Sequence, residues 1–114
     1  MSLRVRMRLA LPEAMRARDK AAVSALRGAL GALDNAEAVP LDDLAQAPSC
    51  AVGSEAARRE LSERDVEDIV RAEVAERIEA AAELPGPAHA GRAARLRAEA
   101  DVLLRFLDAQ GTPA

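Results

Sequence analysis

Residues 62–83 read SERDVEDIVRAEVAERIEAAAE, and this stretch decides the fold. Val66, Ile69, Val70, Val74 and Ile78 recur mostly at intervals of three and four, the spacing that lines one face of an α-helix. Ser62 and Asp65 have the form of a capping box: the hydroxyl accepts from the backbone N–H of residue 65, and the carboxylate reaches back to that of residue 62. Glu67 with Arg71 and Glu73 with Arg77 are Glu-before-Arg pairs four apart. That arrangement stabilises an exposed helix surface, so both pairs are expected on a solvated outer face, and these carboxylates are read as surface rather than as an acid/base pair.

Two further segments carry the same period. Residues 20–37 place Val23, Leu26, Leu30 and Leu33 on one stripe, with Asp19 as the expected cap. Residues 92–109 place Leu96, Ala100, Leu103 and Leu107 on another, widened by Leu104. Between the second and third of these helices, residues 84–91 contain Pro85-Gly86-Pro87 and Gly91, a turn that folds the last helix back on the one before it. Residues 38–60, with Pro40, Pro48 and Gly53 around Asp42-Asp43, read as a long mobile loop.

The N-terminal segment fits two patterns. Leu3, Val5, Met7, Leu9 and Leu11 alternate with Arg4, Arg6, Arg8 and Ala10 as in a strand, whereas Leu3, Met7, Leu11 and Met15 fit a helical face. A strand would have no partner elsewhere in the chain, so a helix is favoured, kinked at or beginning near Pro12. The expected fold is therefore all-α: a small bundle of about four helices forming one domain over residues 1–114, with a long loop between helices 2 and 3.

Composition supports this reading and narrows the function. Half of the 114 residues are apolar, Trp and Tyr are absent, and Phe106 is the only aromatic, so the core must be aliphatic and Ala-rich. Ala, Arg, Glu and Leu all favour helix. No apolar run is long enough to span a membrane, and the lone Cys50 forms no internal disulfide, so the expected location is the cytoplasm. The net charge of −3 hides an asymmetry: residues 1–30 carry seven basic and two acidic side chains, and the remainder nine basic and seventeen acidic. Either the basic first third pairs with the acidic remainder inside the bundle, or it offers a basic face to an anionic partner.

No self-sufficient catalytic site is visible. A nucleophile needs a base within reach, and the only histidine, His89, lies in the Pro/Gly turn, apart in sequence from Ser24 and Cys50. One His and one Cys cannot build structural zinc or the Glu-x-x-His pairs of a di-iron bundle, so neither metal nor cofactor is expected. Arg16, Arg18, Lys20 and Arg27 are the candidate contacts for RNA phosphates. A base-stacking platform is not expected from Phe106 alone.

Met15-Arg16-Ala17-Arg18-Asp19-Lys20, then Leu26-Arg27 and Asn35-Ala36-Glu37, resemble the opening of the GatB/YqeY family. Leu61-Ser62-Glu63-Arg64-Asp65-Val66 is similar to that family's next helix start, and Arg97-Ala98-Glu99-Ala100-Asp101-Val102-Leu103 to its final one. The resemblance covers roughly residues 3–38 and 61–108, with Asp19, Asn35, Glu37 and Glu99 as motif residues. It implies a helical protein related to the tail of the tRNA-dependent amidotransferase B subunit and associated with tRNA, here without the family's second small helical subdomain. A carbon–nitrogen ligase label would follow the family name, but the amidotransferase chemistry belongs to other domains and subunits. Asn35 and Glu37 are otherwise expected to close the second helix before Pro40, and Arg27 to pair with a carboxylate across the bundle. Two functions stay open: a tRNA-associated accessory module linked to amidotransferase or aminoacylation systems, and a protein-interaction or self-association module without an RNA role.

Overall fold

The computed structural model describes residues 1–44 and 60–111. Four helices follow in order: α1 (Leu3–Arg16), α2 (Lys20–Leu44), α3 (Glu63–Ala82) and α4 (Ala90–Gly111), with one 3-10 turn (Pro87–His89) before α4. There is no strand among the described residues, so the chain is an all-α bundle. Its N-terminal segment is helix throughout. Ser2, not Pro12, starts α1, its hydroxyl accepting from the Val5 N–H, and the helix runs on through Pro12. An interior proline removes one hydrogen bond and costs about 3 kcal/mol. The burial of Leu3 and Met7, both with no exposed surface, offsets that cost.

The strand-like alternation of α1 has a helical explanation. Leu3, Met7 and Leu11 turn inward, whereas Val5 and Leu9 form a second, exposed stripe. Arg4 and Arg6 lie between the two and tie α1 down. Arg4 binds Asp34 at 2.6 Å and Glu37 at 2.8 and 2.9 Å, and Arg6 donates to the Phe106 carbonyl at 2.8 Å with its guanidinium 5.6 Å from the ring centre. Glu37 is the largest influence on the Arg4 guanidinium and, with Asp34, holds its pKa above the usual arginine value despite burial. Glu37 is thus a clamp on α1, and neither it nor exposed Asn35 ends the helix. Instead α2 continues through Pro40 to Leu44, so the loop expected over 38–60 starts later; its remainder, residues 45–59, lies outside the described residues.

The stripes that close the bundle are narrower than the large apolar residues alone suggest. On α2 the buried line is Ala22, Ala25, Leu26, Ala29 and Leu33, with Val23 and Leu30 only half-buried at its edge. Alanines let neighbouring helices approach closely, so the small residues mark the contact line. On α3, Val66, Val70 and Val74 are buried but Ile78 is 48% exposed. Each step of four residues rotates the position by about 40° around the helix. The steps from Val66 to Ile78 therefore carry it off the inner face, while Arg77, eleven residues on, returns to within about 20° of Val66. The Ser62–Asp65 capping box forms in both directions, at 3.0 and 3.1 Å. Gly86, at φ +92°, makes the turn that returns α4 against α3.

Arg77 corrects the expectation of a solvated pair. Its guanidinium binds Glu73 at 2.9 Å and Glu99 at 3.0 Å in a half-buried cluster between α3 and α4, while Glu67–Arg71 stays on the surface. Burial alone would lower the Arg77 pKa, but the hydrogen bonds it donates to Glu73 and Glu99, with the charge of the two carboxylates, together outweigh it and raise the pKa above the ordinary value. Arg77 Nη2 also presses on α2 at Gly28, where a Cβ would collide with it, whereas nothing lies near Gly31. Gly→Ala in a helix usually adds about 1 kcal/mol of stability. Accordingly Gly31→Ala is expected to raise the denaturant midpoint by that amount, and Gly28→Ala to gain nothing because it displaces Arg77. Equal gains in the two unfolding curves would show that Arg77 moves aside without cost.

Candidate nucleic-acid interface

The turn between α1 and α2 builds the most chemically loaded part of the surface. α1 ends in a Schellman motif: Arg18 N–H bonds the Met15 carbonyl at 3.1 Å and Asp19 N–H the Ala14 carbonyl at 3.0 Å. The residue between the two helices that must adopt a left-handed backbone is Arg18, at φ +57°, a position usually given to glycine because a Cβ is strained there. Asp19 then accepts from the Ala22 N–H at 3.1 Å and caps α2. The effect is to direct Arg18 and Lys20 from a tight corner to the same side as the first two turns of α2.

There they border an open groove of about 490 Å³, lined by Met15, Arg18, Lys20, Val23, Ser24, Arg27 and Arg95. Lys20, Ser24 and Arg27 are spaced by four and three, so they project from one face of α2. Among the described residues Arg27 pairs with no carboxylate across the bundle; its Nη2 lies 4.0 Å from the Met15 sulfur. Arg18, Lys20 and Arg27 have no carboxylate partner among the described residues. Arg95, contributed by α4, is 3.9 Å from the buried Glu99 and half-exposed toward the groove. Of the four sequence candidates, three meet here and Arg16 does not: it is paired with Glu13 one turn back on α1.

Arg95 is the groove residue that sequence reasoning missed. It stands in the acidic part of the chain, and only the packing of α4 against α2 brings it beside Arg27. Glu99, a motif residue, sits behind it and joins Arg95 to Arg77. Asp19, Glu37 and Glu99 thus each have a structural task, whereas Asn35 is exposed.

Ser24 lines the basic groove, whereas His89 lines a different one with Ala80, Glu83, Leu84, Arg92 and Leu96. Cys50 lies outside the described residues. Among the described residues no group of three or more His, Cys, Asp or Glu side chains is placed to hold a metal, and no helix is long and apolar enough to cross a membrane.

Arg18 also makes a measurable trade-off. Arg18→Gly is expected to stabilise the fold by about 0.5–1 kcal/mol, by relieving the left-handed corner, while removing one groove cation. Thermal unfolding that shows no gain would mean that the corner is not strained.

Fold and surface together define a small helical bundle with a localised basic groove. No protein-family model, no curated protein and no solved structure matches the chain.

Proposed function

We propose that this chain is a non-catalytic, YqeY-like helical module of the cytoplasm that associates with tRNA, serving as an accessory to tRNA-dependent amidotransferase or aminoacylation systems. The observation that carries the reading is the convergence of Arg18, Lys20 and Arg27, none with a carboxylate partner among the described residues, on a groove that Arg95 completes. Exposed cations without an ion-pair partner are available to an external anion, and phosphate contacts need only basic side chains at suitable spacing. The motif residues of the GatB/YqeY resemblance point to tRNA among the anions. Among the described residues that line the groove, Ser24 is the one uncharged polar side chain, and the reading is of binding rather than reaction.

The test is binding of total tRNA at several salt concentrations, beside an Arg18/Lys20/Arg27→Ala triple variant. Binding should weaken steeply with salt, and the variant's slope should be shallower by a little under one for each lost phosphate contact. No binding at low salt overturns the reading. The second reading, a protein-interaction or self-association module, is favoured by one observation: Val5 (40% exposed) and Leu9 (59% exposed) form an apolar stripe on the outside of α1.

A further inference from the structure

The groove is better shaped for the end of a nucleic-acid chain than for its middle. A protein that follows a duplex backbone strings its cations along a surface, because the charge it meets is a repeating line of single charges. Here the α1–α2 corner, α2 and α4 bring four cations to one open groove of about 490 Å³, a volume comparable to that of small-ligand sites. Of the arginines that would extend the basic surface along α1, Arg4, Arg6 and Arg16 are each tied to neighbouring groups, and exposed Arg8 stands about two turns away from Met15. Two carboxylates stand beside these cations and keep their charge, Glu99, shared between Arg77 and Arg95, and Asp19, which caps α2, so positive charge remains in excess. One internal phosphodiester carries a single charge. A terminal phosphomonoester carries nearly two at neutral pH and offers three acceptor oxygens, a closer match to converging cations.

The other half of the groove is apolar. Met15 and Val23 contribute to its lining, and the Arg27 guanidinium lies against the Met15 sulfur. A guanidinium plane held this way stacks on a nucleobase. It is the flat surface of a groove that lacks an aromatic side chain, since Phe106 is engaged by Arg6 on another face. Resting on the nucleic-acid reading above, we propose that the groove seats a single terminal nucleotide, its phosphomonoester among Arg18, Lys20 and Arg95 and its base on the Arg27–Met15 platform. Ser24, between Lys20 and Arg27 on the same helical face, hydrogen-bonds the sugar or the phosphate.

The same chemistry occurs at the 5′ end of an RNA and in a free nucleoside monophosphate, and one experiment separates the two. A short single-stranded RNA labelled at its 3′ end is titrated with the full chain, with and without a 5′-phosphate, and adenosine monophosphate and inorganic phosphate compete against it. Removing the 5′-phosphate should weaken binding by about tenfold, the loss expected for charge-assisted contacts to a dianion. Arg27→Lys keeps the charge but removes the plane. It should weaken the phosphorylated RNA by about fivefold while inorganic phosphate competes as before, the mark of lost stacking rather than lost charge. Circular dichroism establishes that the variant is folded. Monophosphate competing as well as the RNA identifies a free nucleotide as the source, and much weaker competition identifies an RNA end. Equal binding of the two RNAs, with tRNA binding intact, overturns the proposal and leaves the backbone reading standing. Loss of tRNA binding as well overturns both.

Discussion

Arg77→Met is expected to lower the stability of the bundle by about 3–5 kcal/mol, the range seen when one partner of a buried ion pair is removed. The side chain of Arg77 is 12% exposed and that of Glu99 9%, so Glu99 would be left charged and nearly dry, with only the longer contact to Arg95 remaining. Glu73 is more exposed and can turn toward water. The damage therefore concentrates at Glu99, and a second change should repair it. In Arg77→Met/Glu99→Leu, an apolar pair replaces the ions and should recover more than half of the loss, because replacing both members of a buried pair by packed apolar residues is often neutral. Chemical denaturation of the two variants measures both quantities. A loss below about 1 kcal/mol in the single variant would mean that water reaches the cluster and screens it as it does a surface pair.

Leu103→Ala is expected to cost about 3–5 kcal/mol and Leu104→Ala less than about 1 kcal/mol, although the two leucines are adjacent on α4. Leu103 has no exposed surface and belongs to the central cluster with Leu26, Val70 and Met7. Truncating it removes its transfer free energy and leaves a cavity among rigid neighbours, and both terms add. Leu104 is 37% exposed, and water fills the space its side chain vacates. Equal losses for the two variants in unfolding experiments would show that α4 is rotated from the orientation described.

Large effects at positions such as Arg77 are hard to foresee from periodicity. Glu73–Arg77 and Glu67–Arg71 have the same spacing and order in the sequence, yet one pair is half-buried between helices and the other lies on the surface. Spacing reports which residues share a face of their own helix; it does not report which neighbouring helix covers that face. Ile78 shows the same limit, because its place in the row from Val66 is right locally but drifts off the contact line. At the candidate groove, Arg18, Lys20 and Arg27 could be singled out because they cluster in an unbalanced basic stretch. Arg95 could not, because it stands with Arg92 and Arg97 in a distant stretch of the chain, and nothing in the sequence shows that this turn of α4 packs beside Arg27. Arg16 stood equal to the others until its local pairing with Glu13 was visible.

Three of the four helices, the Ser62–Asp65 capping box, the Asp19 cap and the Pro85-Gly86-Pro87 return all follow from the sequence by itself, since each depends on residues within a few positions of one another. Local hydrogen bonding and helical period need no knowledge of the rest of the chain. The seat of Arg77 against Gly28, the clamp of Arg4 on Asp34 and Glu37, and the arrival of Arg95 beside Arg27 were decided only by the tertiary structure. These contacts join residues far apart in sequence, and they depend on the angle and depth at which whole helices pack, which burial of the aliphatic core sets collectively.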